Sequence, residues 1–425
     1  MGVTGIDLVA LHPAQRDILR ETTKRPFRLV LRCGRRFGKT SLLERVATKW
    51  AANGKRVGWF GPQYRLNTPT YRRILRMGSG QVSRKSKIDQ IIEFRSQGSV
   101  EFWTLNDEDA GRSRYYDLAI LDEASLADGL RETWEQAISP TLLDKQGSAI
   151  MAGTPKGIDD ENYFYLACSD KSLGWLERHA PTAANPMLAP EAVAKLQDEY
   201  PPLVYQQEFL AEFVDWRGSA FFSEDSLLID GEPVDYPQPC DTVFAIIDTA
   251  VKDGLEHDGT AVIYCCKDRR SKSPLTVLDW DILQIEGRLL ETWLPGVYQN
   301  LERLAQQTRA RYGSAGCWIE DKVTGTVLIQ HAQSRGLSVS AIDSKLTALG
   351  KEARAISASP YVYRGEVKLS RHAYEKMVNF RGRVANHLLS QVCGFRMGVK
   401  TPHTMDLLDC FTYSVMLGLG NSEGF

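Results

Sequence analysis

Short apolar runs separated by longer amphipathic stretches are the dominant pattern in residues 1–212. These runs fall near residues 27–32, 57–60, 100–105, 117–121 and 148–152. Continuous apolar runs of this length are typical of parallel strands that are covered on both faces. Because helical patterns separate the runs, the first half of the chain predicts an α/β domain with a largely parallel sheet.

The pattern changes near residue 212, where a helical, acidic stretch gives way to residues rich in glycine and proline. We interpret residues 190–213 as a lid at the end of a first domain, 1–212, and residues 213–240 as a linker. Strand, hairpin and helix patterns then begin afresh and predict a second domain over 241–425. Its predicted elements are strands at 242–247, 261–265 and 317–319, a turn at Gly254 and a helix at 406–417.

The most informative segment follows the first apolar run and precedes a helical pattern. It reads Cys33-Gly34-Arg35-Arg36-Phe37-Gly38-Lys39-Thr40-Ser41. A glycine loop between a strand and a helix predicts a phosphate-binding site, because its N–H groups and the helix N-terminus attract polyphosphate. Lys39 is expected to reach the β- and γ-phosphates, and Thr40 to hold Mg²⁺. Cys33 occupies the usual position of the first glycine, so an ordinary glycine-rich turn is the alternative.

Two adjacent acidic residues, Asp122 and Glu123, follow the apolar run at residues 117–121. ATP hydrolysis requires a carboxylate that holds Mg²⁺ and a group that orients the attacking water. We assign the first role to Asp122 and the second to Glu123. The pair alone would be interpreted as a solvated strand end, but downstream of a phosphate-binding loop the catalytic interpretation is favoured.

A polar residue, Thr154, follows the apolar run at residues 148–152 in the sequence Gly153-Thr154-Pro155. A side chain at the end of such a strand can sense the γ-phosphate and move adjoining segments. We therefore predict a coupling role for Thr154. A turn formed by glycine and proline is a comparable interpretation.

Composition limits the possible functions more than it selects one. The chain has 425 residues, which predicts two or three domains, and no apolar run is long enough for a transmembrane helix. The eight cysteines show no paired metal-binding spacing and are interpreted as free thiols of a reducing compartment. The formal net charge is −1, so nucleic-acid binding must come from local patches. One candidate patch, equally typical of a solvated helix face, comprises Arg65, Arg72, Arg73, Arg76, Arg84, Lys85 and Lys87.

Acidic residues follow apolar elements at three places in the second domain. They are Asp248, the pair Glu320 and Asp321, and the pair Asp406 and Asp409, which share one helix face. Carboxylates suit Mg²⁺ or Mn²⁺, and two such ions about 3.5–4 Å apart can activate water for phosphodiester cleavage. Each acid alone is typical of strand-end or helix-surface charge, so the metal site depends on their convergence in space.

The order of these motifs resembles the large terminase subunit of tailed bacteriophages over nearly the whole chain. The resemblance implies an N-terminal RecA/ASCE-type P-loop ATPase domain and a C-terminal ribonuclease H-like nuclease domain. The phosphate loop of that family is also irregular and rich in arginine, as in residues 34–40 here. The family's acids correspond to Asp122 and Glu123, and its coupling motif to Gly153-Thr154-Pro155.

The same resemblance implies further site residues. ATP contacts are expected at Asp122, at Gln15 in an adenine-reading segment, and at the loop residues Gly34, Arg35, Arg36, Phe37, Gly38, Lys39, Thr40 and Ser41. An arginine that stabilises the γ-phosphate transition state, often from a neighbouring subunit, is expected at Arg112 or Arg114. DNA binding or solvent exposure of both arginines is the alternative.

For the nuclease, the resemblance implies metal ligands at Asp248, Glu320, Asp406 and Asp409. Glu320 is favoured over Asp321 because Gly325 follows at a distance similar to that in the family. The family often has a further acid where this chain has Met405. The division of roles between Asp406 and Asp409 therefore stays open.

The implied function is DNA packaging. ATP with Mg²⁺ would drive double-stranded DNA into a procapsid, and two Mg²⁺ or Mn²⁺ ions would serve a nuclease that cuts concatemers. Expected partners are the portal protein, the small terminase subunit and further copies of the chain in a ring, in the host cytoplasm. A helicase-like translocase with a fused repair nuclease, and a nucleotide-dependent assembly switch without nuclease activity, are the alternatives.

Overall fold

The structure is a computed structural model. The predicted turn at Gly254, together with His257 and Asp258, lies outside the residues that it describes. The described residues are 6–23, 25–62, 64–105, 107, 110–127, 129–216, 221–249, 259–285, 289–321, 324–397 and 405–420.

The chain divides into two compact units. The first comprises residues 1–198 and 202–215, and the second comprises residues 199–201 and 216–425. Part of the predicted linker thus packs as part of the second unit. The predicted assignment of one function to each unit remains a prediction.

The first unit is built on an eight-stranded sheet in the order β3-β4-β5-β2-β6-β7-β1-β8. All neighbours from β5 to β8 in this order run parallel, and the β3–β4 hairpin extends the sheet antiparallel. Strand β7 lies between β6 and β1, which is the inserted strand expected of a RecA-type ATPase fold. The strands are β1 (Arg28–Cys33), β2 (Arg56–Gly61), β3 (Val82–Ser86), β4 (Ile91–Phe94), β5 (Ser99–Thr104), β6 (Leu118–Leu121), β7 (Ser148–Gly153) and β8 (Leu176–Ala180).

Both faces of this sheet are buried. Leu29 and Leu31 of β1 belong to the hydrophobic cluster of α2 and α3, whereas Val30 between them belongs to the cluster of α4 and α5. Alternate side chains of a strand point to opposite faces, so the continuous apolar runs are explained. The helices are α1 (Pro13–Arg20), α2 (Lys39–Ala52), α3 (Tyr64–Met77), α4 (Leu130–Glu132), α5 (Tyr163–Ser169), α6 (Pro190–Glu199) and α7 (Pro202–Glu208).

Three neighbouring strands of the first unit end at one edge of the sheet. The register pairs Arg32 of β1 with Gly153 of β7, and Leu121 of β6 with Met151 of β7. The segments that follow β1, β6 and β7 therefore begin side by side. This edge is where a parallel sheet binds ligands.

The second unit contains a six-stranded sheet in the order β13-β12-β9-β10-β11-β14. Strands β9, β10 and β11 form an antiparallel meander, and β12 and β13 are added parallel to β9 on its other side. This arrangement is the predicted ribonuclease H-like order. The strands are β9 (Thr242–Asp248), β10 (Thr260–Lys267), β11 (Leu275–Leu283), β12 (Ser314–Ile319), β13 (Val339–Ala341) and β14 (Val367–Leu369), with a separate hairpin of β15 (Val378–Phe380) and β16 (Arg383–Ala385).

Helices pack on both faces of the second sheet as well. Val243, Ala245 and Ile247 of β9 pack with α8 and α9, whereas Gly418 of α14 lies beside Phe244 on the other face. Helix α11 packs against α14. The helices are α8 (Leu290–Gln307), α9 (Thr324–Ser334), α10 (Ser344–Thr347), α11 (Lys351–Tyr363), α12 (Arg371–Glu375), α13 (His387–Val392) and α14 (Asp406–Leu419).

The predicted fold class is therefore confirmed, and all eight cysteines carry free thiols. None of the helices among the described residues has the length and apolar character needed to cross a membrane.

Candidate active sites

Lys39 joins the three segments that meet at the ligand-binding edge of the first unit. Its Nζ lies 3.0 Å from Oε1 of Glu123, after β6, and donates a hydrogen bond of 3.2 Å to Oγ1 of Thr154, after β7. Burial alone would lower the pKa of Lys39, but the charges of Glu123 and Asp122 outweigh burial and raise it. The lysine is therefore held charged where a polyphosphate would be bound.

Asp122 is buried beside Thr40, whose hydroxyl hydrogen-bonds its carboxylate. The Oδ1 atom of Asp122 is buried and has no hydrogen-bond partner. Burial, followed by the charge of Glu123, raises the pKa of Asp122 to about 7. A hydroxyl and an unsatisfied carboxylate oxygen in one place fit the oxygen ligands that Mg²⁺ requires beside a nucleotide.

Glu123 differs from its neighbour in backbone and exposure. Its φ of 51° lies in the left-handed region, and its side chain is 34% exposed. Such backbone strain costs on the order of 1–3 kcal/mol in a non-glycine residue and is concentrated at functional sites. The turn separates a buried carboxylate at Asp122 from a more accessible one at Glu123, which fits the two different roles predicted for them.

The two glycines of the loop are required by close approaches. A Cβ atom at Gly34 would lie 2.7 Å from Oγ1 of Thr182. Gly38 has a φ of 93°, and a Cβ atom there would lie 2.7 Å from Nε2 of Gln15. Glycine at position 34 therefore has a packing reason, although it is displaced by one residue from the usual first glycine.

Other loop residues are held by segments near the end of the first unit. The Arg35 side chain forms an ion pair with Glu208 of α7, and Asn185 donates a 2.7 Å hydrogen bond to the Arg36 carbonyl. Phe37 is fully buried, and Ser41 lies in the first turn of α2. The loop is therefore braced on the side of the predicted lid.

Gln15 lies on α1 and contacts the loop directly. Its Nε2 donates a hydrogen bond of 2.8 Å to the Gly38 carbonyl, and its Oε1 accepts one from the backbone of His12. His12 Nε2 lies 3.0 Å from the Phe37 carbonyl. The predicted adenine-reading segment is therefore packed against the phosphate loop, and its contact with adenine remains a prediction.

Arg112 and Arg114 lie away from the phosphate loop of their own unit. Both are exposed and precede the amino end of β6, whereas the loop lies beyond the carboxyl ends of the strands. Arg114 Nε lies 3.4 Å from Oε2 of Glu101 in β5. Their placement suits a role towards another molecule, and the identity of a catalytic arginine remains a prediction.

The structure brings the predicted acids of the second unit together around the end of β9. Asp248 ends this strand, and the pairing of Ile247 with Ile319 places Glu320 directly beside it. Asp406 begins α14, and its Oδ2 accepts a hydrogen bond of 3.0 Å from the Gly259 backbone at the start of β10. Glu320 is 8% exposed and Asp406 6%, so both carboxylates are buried.

Asp409 differs from the other acids because cations hold it. It forms ion pairs with Arg354 and with Lys351, whose Nζ lies 3.4 Å away. Arg354 also donates to the Leu349 carbonyl at 2.6 Å and lies 4.6 Å above the ring of Tyr413. The Tyr413 hydroxyl in turn donates to Glu320 at 3.1 Å.

Sequence reasoning missed Arg354, Lys351 and Tyr413. Arg354 is one turn into α11 on its buried face, and a buried arginine on an otherwise apolar face indicates a carboxylate partner. That signal is present in the sequence, but it names no partner.

The carboxylates of the second unit repel one another. Burial, then the charges of Asp409, Asp406 and Glu320, raise the pKa of Asp248 well above its ordinary value, and Arg354 offsets this only in part. A divalent cation is the natural partner for such oxygen ligands. However, within the described residues no group of three or more such side chains is arranged to hold a metal ion. The carboxylates are therefore close enough to interact but would have to reorient to ligate.

Asp321 is placed differently from Glu320. It is exposed, and its Oδ1 accepts a hydrogen bond of 2.6 Å from the Thr326 hydroxyl on α9. Gly325 lies against the Glu320 carbonyl so closely that a Cβ atom would collide with it. These contacts orient Glu320 inward and Asp321 outward, although the choice between them as a metal ligand remains a prediction.

The predicted basic segment is divided and partly neutralised. Arg73 of α3 lies 2.6 Å from Glu44, and Arg84 of β3 lies 3.2 Å from Glu93. Arg72 and Arg76 of α3 are exposed or partly exposed. The side chain of Arg65 lies outside the described residues.

The fold and the two sites together define a class: a chain that combines a P-loop ATPase-type unit with a ribonuclease H-like unit. No protein-family model matches the sequence. The resemblance to large terminases is nevertheless confirmed by both sequence and structure, as the following comparisons describe.

Two curated proteins, each named "Terminase, large subunit", from Thermus phage G20c and Thermus virus P23-45, are 29% identical to this chain over 135 residues. The matched stretch is 28% of this chain and 27% of each relative, so it spans much less than half of their length. The large terminase of a thermophilic bacteriophage has the same fold, with a TM-score of 0.65 at 15% identity, over 96% of this chain and 99% of that one. The structure of that terminase in complex with ADP gives the same values.

Proposed function

We propose that this chain is the large subunit of a phage terminase, a DNA-packaging ATPase joined to a metal-dependent nuclease. The observation that carries the proposal is that Lys39, Thr154 and Glu123 converge in one unit while Asp248, Glu320 and Asp406 converge in the other. A single chain with both sites, in the fold of a large terminase, is suited to moving DNA and cutting it.

In the first unit, Lys39 would neutralise the β- and γ-phosphates of ATP, and Thr40 with Asp122 would hold Mg²⁺. Glu123 would orient the attacking water and accept its proton. Lys39 contacts Glu123 and Thr154 in the present geometry, so a bound γ-phosphate would compete for the lysine. Release of Thr154 is then a direct way to transmit nucleotide binding to the segment after β7.

In the second unit, Asp248, Glu320 and Asp406 would hold the metal ions. Bound Mg²⁺ or Mn²⁺ supplies an activated water and stabilises the leaving oxygen. The Gly259 backbone orients Asp406, and Tyr413 orients Glu320. Asp409, held by Arg354, would complete the negative charge at the periphery of the site.

The substrate and partners follow from this function. The chain would act on double-stranded DNA, assemble as a ring on the portal protein of a procapsid, and receive DNA from a small terminase subunit. It would work in the host cytoplasm during packaging. The fold resemblance supports these partners, and Arg112 and Arg114 provide exposed cations for a neighbouring subunit.

The test is to incubate pure protein with plasmid DNA and Mg²⁺ or Mn²⁺, with and without ATP. The expected result is ATP hydrolysis together with metal-dependent cleavage that EDTA abolishes. ATP hydrolysis without cleavage under either metal would favour the assembly switch. Unwinding or resection of DNA without any capsid component would favour a repair translocase.

A further inference from the structure

A second anion-binding feature lies in the first unit, away from the phosphate loop. A cavity of about 590 Å³ opens where α1 and α2 end, and its wall carries the cations Arg16, Arg20, Arg25, Lys49 and Lys55. No carboxylate is present among the lining residues that the structure describes. We call this cavity the basic pocket.

The basic pocket is separate from the nucleotide site. Helix α2 begins at Lys39 in the phosphate loop and extends to Ala52, just before the pocket residue Asn53. At 1.5 Å per residue, this helix places the pocket about 20 Å from Lys39. Lys55 immediately precedes β2, so the pocket lies at the amino edge of the sheet, opposite the edge that binds ligands.

Most of the positive charge in the basic pocket is not compensated. Arg20 pairs with Asp17 at 2.8 Å on an exposed surface, where such pairs contribute little, and Lys55 pairs with Asp117 at 2.9 Å. Arg16, Arg25 and Lys49 form no ion pair within the described part of the chain. The whole chain has a net charge of only −1, so this concentration of charge is local.

Helix stabilisation explains only two of these cations. Arg20 and Lys49 lie in the last turns of α1 and α2, where a cation interacts favourably with the helix dipole. Arg16 lies earlier in α1, and Arg25 and Lys55 lie outside both helices. The guanidinium of Arg25 is fixed 3.8 Å above the ring of Trp50, which positions its charge at the pocket wall.

We propose that the basic pocket binds the phosphate backbone of double-stranded DNA, an inference that rests on the proposed function. Clustered cations without carboxylates attract phosphate without reading sequence. Trp50 is only 6% exposed and covered by Arg25, so it offers no surface for stacking an unpaired base. The pocket therefore suits a duplex backbone better than single-stranded DNA.

The test compares two charge-neutralised variants of the full-length protein. The pocket variant carries Arg16→Gln, Arg25→Gln and Lys49→Gln, and the control carries Arg72→Gln and Arg76→Gln on α3. Anisotropy of a labelled duplex, in EDTA to prevent cleavage, gives affinity over a series of salt concentrations. ATP binding, measured separately with Mg²⁺, and thermal melting check that each variant is folded.

The pocket variant is expected to bind duplex more weakly, with a salt slope that falls by about 1 for each phosphate that is no longer neutralised. The control should keep a salt slope close to that of the wild type. Both should bind ATP normally. The single variant Arg16→Gln, at an exposed position, should show a smaller change in the same direction and serves if the triple variant does not fold.

Three results would overturn the inference. Equal affinity and equal salt slope for the pocket variant and the wild type would remove the pocket from DNA binding. A second ATP site in the wild type that the pocket variant loses, with DNA binding unchanged, would assign the pocket to nucleotide. Wild-type protein that binds no duplex at all would reject both this inference and the DNA-packaging function, whereas failure of the pocket variant test alone leaves that function standing.

Discussion

The two candidate sites differ in how their charges are balanced. In the first unit, Lys39 lies between Glu123 and Thr154, and Thr40 contacts Asp122, so opposite charges and polar partners are already paired. In the second unit, Asp248 is surrounded by three further carboxylates, and the cations Arg354 and Lys351 form their ion pairs with Asp409.

This difference indicates what each site requires from outside. The nucleotide site is assembled by the protein alone and needs ATP to redirect its lysine. The carboxylate site is electrostatically unfavourable by itself, because buried like charges raise one another's pKa. Divalent cations would supply the missing positive charge, so metal binding should both build the second site and stabilise its unit.

The largest effect is expected from Asp248→Ala. This change removes the carboxylate at the centre of the acidic group, so Mn²⁺ binding measured by calorimetry should weaken strongly. Metal ions contribute several kcal/mol to such reactions, so DNA cleavage should fall by about 10³-fold or more. Asp321→Ala, at an exposed acid, is the matched control and should retain cleavage and Mn²⁺ affinity. Equal loss in the two variants would contradict the central position of Asp248.

The arginines test whether the first site is complete within one chain. A transition-state arginine is worth about 10³-fold or more in ATP hydrolysis, so the variant that lacks it should be nearly inactive. Mixing Arg112→Ala or Arg114→Ala protein with Lys39→Ala protein should restore ATPase activity if the arginine acts between subunits. No recovery in either mixture, under conditions where wild-type chains associate, would argue against that arrangement.

Glu123→Gln tests the paired charges of the first site. The substitution keeps the shape but loses the carboxylate that orients water, so ATP turnover should fall by about 10²–10³-fold. ATP binding should persist, since Lys39 is freed from its ion pair. Lys39→Ala should instead weaken ATP binding itself. Fluorescent-nucleotide binding and steady-state hydrolysis distinguish the two defects, and normal turnover in Glu123→Gln would reject its role.

The smallest effect is expected from Arg354→Gln in the second unit. Removing one partner of a buried pair leaves Asp409 uncompensated, which costs about 3–5 kcal/mol before Lys351 offsets part of it. Cleavage should fall by about 10–100-fold, because Glu320 loses support through Tyr413. Adding Asp409→Asn should recover stability in urea unfolding. A double variant no more stable than Arg354→Gln would contradict a direct pairing of these two residues.

The sequence predicted the elements that carry continuous apolar patterns. The strands before the phosphate loop, before Asp122 and before Thr154 were predicted within a residue or two, because burial on both faces leaves a clear signal. The β3–β4 hairpin and β8 were missed, since their strands are partly exposed and lie at or near the edges of the sheet. Strand β11 was also missed.

The candidate sites were predictable to different depths. The loop and strand ends of the first site share one edge of one sheet, so their meeting follows from topology. Arg354 lies on a helix far along the chain from both Asp248 and Asp409, and only tertiary packing brings it to the acids. No periodicity in the sequence specifies such a pair.

The most direct test measures both activities in three proteins: wild type, Glu123→Gln and Asp248→Asn. The account predicts that Glu123→Gln loses ATP hydrolysis but retains metal-dependent plasmid cleavage, whereas Asp248→Asn loses cleavage but retains ATP hydrolysis. That reciprocal pattern would demonstrate two separate active sites in one chain. If either substitution abolished both activities in a folded protein, or neither affected its activity, the two-site account would be contradicted.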